Sequence, residues 1–287
     1  MEIIKEPNEM QDIALDLKNQ GKTIAIVPTM GFLHDGHLAL VDKAKEIADV
    51  VITSLFVNPK QFAPNEDFDS YPRDIERDKA LLEAKNVDYL LAPDALGMYP
   101  IGFSTSLHIS GLTGVFEGTS RPTHFDGVAL VVLKLFEISQ CNYAIFGQKD
   151  YQQTLVVKRM ISDLNLPVKM VVCPIYREAN GLAMSSRNRY LTDEEKEKAS
   201  IIFLSLEAAK KTIAQGERRR KIINSIILST IKTIPEIKID YINAARAESL
   251  ETPDEFFPGE EIVLLIAVYV GRTRLIDNTL IKIPSTL

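Results

Sequence analysis

VPTMGFLHDGHLAL, Val27 to Leu40, is the stretch on which the reading of this chain turns. It takes over from a mostly apolar, β-branched segment, TIAIVPT, that has the pattern of a short buried strand. Gly31 follows, then His34 and His37, two of the chain's four histidines, and then the helix-patterned run HLALVDKAKEIA. A strand, a glycine turn and a helix N-terminus in that order form an anion site. Backbone N–H groups converge there and the helix dipole favours negative charge. Gly31 permits a tight turn, and Gly36 lets a planar base or a phosphate approach the backbone closely. Three readings of the histidines compete. They are ordinary imidazoles at a helix start, or a zinc pair on one helical face, or two donors to a nucleotide's phosphates. The zinc reading is short of ligands, because only His108 and His124 remain as imidazoles and neither Cys141 nor Cys173 stands in a ligand pair.

Outward from this stretch, strand-like and helix-like segments alternate. A helix at MQDIALDLKNQG with a stop at Gly21 precedes it. VVITSLFV (strand), DIERDKALLEAKN (helix), VDYLLAP (strand), GVALVVLKLFEIS (helix), NYAIFG (strand), YQQTLVVKRMISDL (helix) and VKMVVCPI (strand) follow. Near-continuous apolar strands separated by helices predict a parallel sheet covered on both faces, with ligands beyond the carboxyl ends of its strands. From about Leu191 the pattern changes. LTDEEKEKASIIFLSLEAAKKTIAQG and RRRKIINSIILSTIKT read as two helices, KIDYINAA and EIVLLIAVYVG as strands, followed by RTRLIDNTLIKI. The fold class expected is α/β: a parallel-sheet domain over 1–185 and a smaller α+β domain over 186–287. The basic run Glu217–Lys221 reads as a solvated helix start in preference to an anion patch.

Composition narrows the function. With 46% hydrophobic and 25% charged residues the chain has an ordinary globular make-up, and its net charge of -6 supplies no global field for nucleic acid. No apolar stretch is long enough to span a bilayer, and the charged start MEIIKEPNEMQDIALDLKNQGK has no signal-peptide pattern. Two cysteines without a framework fit packed, reduced thiols. A cytoplasmic protein without membrane or nucleic-acid partners is the expectation.

HDGH fits the H-x-G-H pattern of nucleotidyl transferases, which attack the α-phosphate of ATP. Its companion is GLAMSSRNRY, Gly181 to Tyr190, where small hydroxyl donors stand beside Arg187 and its planar fork suits phosphate oxygens. The stretch resembles the flexible triphosphate-binding motif that accompanies H-x-G-H. FGQKDYQQ, Phe146 to Gln153, ends a strand and opens a helix: Lys149 offers a cation, Gly147 a close backbone approach, and Gln152 and Gln153 amides. FVNPKQFAPNEDFDSYPRD, Phe56 to Asp74, has three prolines and little periodicity, as in a structured functional loop with Asn58, Gln61 and Tyr71 as its polar candidates.

Taken in order, VPTMGFLHDGH, FVNPKQF, YPRD, FEGTSRPTHFDGV, FGQKDYQQ, GLAMSSRNRYL and RLIDN make the chain resemble the pantothenate synthetase (pantoate–β-alanine ligase) family over nearly its whole length. Thr123 and Asn180 depart from the usual pattern, and neither stands at a position assigned to chemistry. The resemblance implies a Rossmann-like domain with a smaller C-terminal domain closing over it, a homodimer, and a reaction of Mg²⁺-ATP, (R)-pantoate and β-alanine. Pantoyl adenylate forms with release of pyrophosphate, and β-alanine then displaces AMP.

The same resemblance assigns His37, His34, Lys149 and Arg187 to catalysis, with His37 as proton or hydrogen-bond donor to the leaving group. It assigns Met30, Gly31, His34, Gly36, His37, Gly147, Gln148, Lys149, Asp150, Tyr176, Met184, Ser185, Ser186 and Arg187 to ATP, with Tyr176 and Met184 on the adenine side. Gln61 and Gln153 are expected at pantoate, Gln61 also at β-alanine, Asn58 and Tyr71 on a covering loop, and Asp78 on the metal side. Rival readings are another nucleotidyl transferase, which would release an AMP-containing product, an aminoacyl-tRNA synthetase, which this acidic chain has little room to be, and a nucleotide sensor without catalysis.

Overall fold

The computed structural model describes residues 1–64 and 66–285, and its contacts divide the chain into two compact units, Met1–Pro174 and Ile175–Leu287. The first unit runs β1 (Glu2–Ile4), α1 (Pro7–Asn19), β2 (Ile24–Thr29), α2 (Asp35–Ile47), β3 (Val50–Leu55), α3 (Ile75–Ala84), β4 (Tyr89–Leu91), α4 (Ala95–Met98), α5 (Glu117–Ser120), α6 (His124–Ser139), β5 (Tyr143–Gly147), α7 (Tyr151–Asp163) and β6 (Lys169–Cys173). The strands form one parallel sheet in the order β1-β4-β3-β2-β5-β6. Strand β1 is too short to carry a period and was not expected; it pairs with β4 at the sheet's edge.

Both faces are covered, as continuous apolar strands require. On one, Ile24, Ile26 and Ile52 pack with Phe125, Val128, Val132 and Phe136 of α6 and Val156, Val157 and Met160 of α7. On the other, Ala25, Val27 and Val51 meet Leu40, Val41 and Ala44 of α2 and Leu82 of α3. Local chemistry sets the helix ends. Pro7 opens α1 where a missing N–H costs nothing, and Asp74 caps α3 by accepting from the Arg77 amide at 3.1 Å.

The sheet order positions the site. From β2 the chain lays β3 and β4 to one side, then crosses to β5 and β6 on the other. The strand order therefore reverses between β2 and β5, and the carboxyl ends of those two strands border the crevice where such sheets bind ligands. The segment leaving β2 carries His34 and His37, and the one leaving β5 carries Lys149.

The second unit holds α8 (Asp193–Ala199), α9 (Ile201–Ala214), α10 (Arg220–Ile231) and an antiparallel sheet β7 (Lys238–Arg246), β8 (Glu261–Val270), β9 (Thr273–Lys282), over a core that includes Leu206, Ile213, Ile227, Phe256 and Ile266. The single helix expected from Leu191 is two. The Ser200 hydroxyl donates to the Glu197 carbonyl at 2.6 Å, and its amide reaches the same oxygen at 3.2 Å, which interrupts the helical ladder. The run Glu217–Lys221 is a helix entrance: the Arg219 side chain and the Arg218 and Arg219 amides hold the Glu217 carboxyl down at about 2. The units part after Pro174, ahead of the expected 185/186. Leu182 lies in the second core, and Arg177 forks onto Asp277 of β9 at 2.7 and 3.0 Å. Both cysteines are free, and burial pushes the Cys141 thiol up to about 12. No helix among the described residues is long and apolar enough to cross a membrane.

Candidate active site

The turn after β2 is held from below. The Thr29 hydroxyl donates to the Ser54 carbonyl of β3 at 2.7 Å and accepts the Gly31 amide at 3.2 Å. Gly31 adopts φ +85 and Phe32 φ +49, so two successive left-handed residues reverse the chain. What stabilises Phe32 there is Asp78 of α3, whose two carboxylate oxygens accept the Phe32 amide at 2.6 Å and the Leu33 amide at 2.8 Å. Asp78 is 1% exposed. Burial pushes its carboxyl up, against the opposing pull of the two amides and Arg77. Arg77 also lies 4.9 Å over the Phe32 ring. Asp78 thus anchors the turn, an employment the sequence does not reveal.

Helix α2 starts immediately after, with His34 at its N-cap and Gly36 and His37 in its first turn. The His34 amide donates to Nδ1 of His37 at 3.3 Å, and the two rings stand 4.0 Å apart. A ring nitrogen that accepts a backbone N–H carries no proton, so this network assigns the His37 proton to Nε2. Burial, the neighbouring His34 and Lys149 hold His37 well below its usual range. Burial and then Lys149 bring His34 down to about 4. Both imidazoles are therefore neutral at pH 7. Nδ1 of His34 is buried and has no hydrogen-bond partner among the described residues. A buried polar atom of that kind in a native site is normally answered by a ligand or water.

Lys149 sits in the short 3-10 turn Gln148–Asp150 after β5, with its ammonium 3.6 Å from Asp150. Gly147 keeps an ordinary φ of -88, and nothing lies within 4 Å of the place a Cβ would take. Its value is open approach to the backbone, with no conformational demand.

The segment from Phe56 to Asp74 is anchored at both ends. Asn58, 1% exposed, donates through Nδ2 to Gln61 Oε1 at 3.1 Å and to the Gly127 carbonyl at 3.0 Å, and accepts from the Tyr99 hydroxyl at 2.9 Å. Tyr71 is buried against Phe62, with ring centroids 5.8 Å apart. Both residues, expected on a covering loop, are buried anchors of it. Gln61 is buried too, its Nε2 directed at Met30 Sδ at 2.9 Å, which brings the loop to the residue preceding Gly31. Of the two glutamines on α7, Gln152 holds the chain before α6, donating to the Leu112 and Val115 carbonyls at 2.6 and 2.8 Å. Gln153 is half-buried and makes no side-chain hydrogen bond among the described residues. Tyr99, Arg121 and His124 were missed as parts of this arrangement; the only signal was their presence in YPIGF and RPTHF.

In the second unit, Tyr176, Met184, Ser185, Ser186 and Arg187 belong to a densely bonded hairpin and turn. Met184 N donates to the Tyr176 carbonyl at 2.9 Å, and Ser185 Oγ accepts the Arg187 amide at 3.2 Å. Gly181 has φ +91 and lies against the Phe203 ring. Asn180 Oδ1 accepts from Leu182 N at 3.1 Å, a bond an aspartate would make as well. Asp277 of RLIDN is here the carboxylate that fixes Arg177. Among the described residues no group of three or more His, Cys, Asp and Glu could hold a metal.

A parallel sheet that reverses order between β2 and β5, with a neutral histidine pair on one border and a lysine on the other, defines an α/β protein with a ligand crevice lined by imidazoles and a cation. The model of the pantoate-beta-alanine ligase family matches residues 2–280. A pantothenate synthetase of Caldicellulosiruptor saccharolyticus is 48% identical over 99% of this chain and 100% of its own length, and one of Prosthecochloris aestuarii is 46% identical over 99% of each. The crystal structure of pantothenate synthetase from Thermus thermophilus aligns with a TM-score of 0.90 and 41% identity, covering 97% of this chain and 99% of that one. The Francisella tularensis pantoate-beta-alanine ligase, solved in complex with beta-gamma ATP and beta-alanine, aligns with a TM-score of 0.78 and 35% identity over 98% and 97% of the two chains. The chain belongs to the pantoate–β-alanine ligase family.

Proposed function

We propose that this protein condenses (R)-pantoate with β-alanine, using ATP and releasing AMP and pyrophosphate, through a pantoyl adenylate. The observation that carries the chemistry is the neutral His34–His37 pair beside Lys149 at the reversal of the sheet, in a chain that matches the ligase family over residues 2–280. The pantoate carboxylate is already ionised at pH 7, so adenylation needs no general base. One of its oxygens bonds to the α-phosphorus as the bond to the pyrophosphate oxygen breaks. The Nε2–H of His37 donates to that departing oxygen. Lys149 offsets charge on the phosphates, neutral His34 meets them as a hydrogen-bonding imidazole, and Gln61 and Gln153 hold pantoate through amides that both donate and accept.

Ser185, Ser186 and Arg187 keep the β- and γ-phosphate role, and Tyr176 and Met184 the adenine role, that the resemblance gives them. The divalent ion is Mg²⁺ arriving with ATP: the described residues offer no protein cage, and magnesium keeps mostly phosphate and water ligands. The protein works as a cytoplasmic homodimer. The test is to incubate it with Mg²⁺-ATP, (R)-pantoate and β-alanine and to identify products by mass spectrometry. Pantothenate and free AMP in equal amounts are expected. ADP, or a product retaining AMP, would overturn the reading in favour of a kinase or another nucleotidyl transferase.

Asp78 supplies a sharper test. Asp78→Asn keeps the size but turns one side-chain acceptor into an N–H donor facing a backbone N–H. Opening of the turn should raise KM for ATP about tenfold, the worth of about one hydrogen bond, with an unchanged dependence on Mg²⁺ concentration. A shifted Mg²⁺ dependence would put Asp78 on the metal.

The pH dependence of the two half-reactions should differ. With His34 brought to about 4 and His37 also lowered, neither is poised to take a proton from β-alanine's ammonium group. β-Alanine must then react as its free amine, about one part in a thousand at pH 7 for a pKa near ~10. Its kcat/KM should climb about tenfold per pH unit from 7 to 9. Pantoate-dependent adenylation should stay flat from pH 5 to 8, because the lowered histidines lose their protons only below that range; an acid limb at the usual histidine value would contradict this.

A further inference from the structure

Gln61 is held by more than its own loop. Its backbone carbonyl accepts from Nδ1 of His124 at 2.9 Å and from Nη2 of Arg121 at 3.3 Å. The other ring nitrogen, Nε2, lies 3.1 Å from Nη1 of Arg121. A carbonyl can only accept and a guanidinium can only donate, so the ring must carry its proton on Nδ1 and none on Nε2. Burial and the adjacent guanidinium bring His124 down to about 4, which agrees with that single tautomer. Arg121 is itself fixed by Glu66, whose Oε2 accepts from Nη2 at 2.7 Å, with Glu117 4.0 Å away.

The geometry extends to the backbone of α6. Gly127, one turn on from His124, lies so close to the Lys60 carbonyl that a Cβ there would stand 2.1 Å from its oxygen. The short 3-10 turn Pro59–Gln61 therefore rests directly on the helix, with Asn58 Nδ2 joining it to the Gly127 carbonyl. Gln61 is pinned at its main-chain oxygen by His124 and at its side-chain oxygen by Asn58. Among the described residues its Nε2 donates to the thioether of Met30, a weak acceptor, and so retains donor capacity for a substrate.

We propose that His124 is a positioning residue for substrate binding: its Nδ1–H fixes the Gln61 carbonyl, and with it the amide that meets pantoate and β-alanine. This rests on the ligase reading above. Loss of the Nδ1–H lets the 59–61 turn shift, so the effect falls on the two substrates that Gln61 serves and spares ATP.

The test is steady-state pantothenate formation with each substrate varied in turn, for the unaltered protein, His124→Leu, His124→Asn and His124→Gln, with a thermal unfolding midpoint for each. Asn can place its amide N–H where Nδ1 stands, whereas Gln places it where Nε2 stands. His124→Leu and His124→Gln should raise KM for pantoate and β-alanine about tenfold, with KM for ATP within about twofold of the original. His124→Asn should restore most of both. If His124→Leu does not fold, the Asn–Gln contrast decides. Equal rises in all three KM values, unchanged KM for pantoate, or Asn no better than Gln would each overturn the inference. Absence of pantothenate from the unaltered protein would instead defeat the ligase reading.

Discussion

Replacing His37 with alanine should slow pantoate adenylation by about 100- to 1000-fold, the usual consequence of deleting one preorganised donor to developing charge. If His37 is that donor, its surroundings make it a neutral one. The His34 amide occupies Nδ1, and burial, His34 and Lys149 keep the ring from taking up a second proton. A neutral Nε2–H can hydrogen-bond the leaving pyrophosphate oxygen without carrying a spare proton to hand over. A glutamine at this place can put an amide N–H close to the Nε2 position, so His37→Gln should recover a substantial part of what His37→Ala loses. If the two variants are equally slow in single-turnover adenylation, while both bind ATP, His37 is a proton donor and the tautomer argument is wrong.

Lys149→Met should cost about 100-fold in the same assay, from the loss of charge-assisted contacts to phosphate. A second readout depends on electrostatics alone. Lys149 lies behind only burial among the causes that lower His34. A nearby cation disfavours imidazolium, so its removal should let His34 take up a proton at a higher pH than about 4. An NMR titration of the histidine ring protons measures this directly. Lys149→Arg should leave His34 low, since it keeps the charge, yet remain slow, since a planar fork does not reproduce a compact ammonium. Activity lost with no upward move of His34 would mean that Lys149 does not share a field with the histidine pair.

The parts of this site that were legible in sequence are the locally encoded ones. A strand running into Gly31, a helix starting after His34 and a strand ending at Gly147 each depend on neighbouring residues, and the alternation of elements was enough to predict a covered parallel sheet. What escaped was decided at long range. Asp78 reads as one acidic residue in the first turn of a helix, and only the fold brings both its oxygens to the Phe32 and Leu33 amides. Asn58 and Tyr71 read as polar loop residues and proved to be its anchors, because their partners Tyr99, Gly127 and Phe62 are fixed by packing. The protonation of the histidines was equally hidden, since burial and the approach of Lys149 across the sheet reversal determine it. In the second unit, one serine hydroxyl, Ser200, divided what periodicity alone joined.

Exchange of labelled pyrophosphate into ATP, run with Mg²⁺-ATP and (R)-pantoate and without β-alanine, tests the adenylate most directly. Exchange should require pantoate and collapse in His37→Ala. No exchange from a protein that still makes pantothenate when β-alanine is added would contradict this, because the acyl adenylate would then not form before the amine binds.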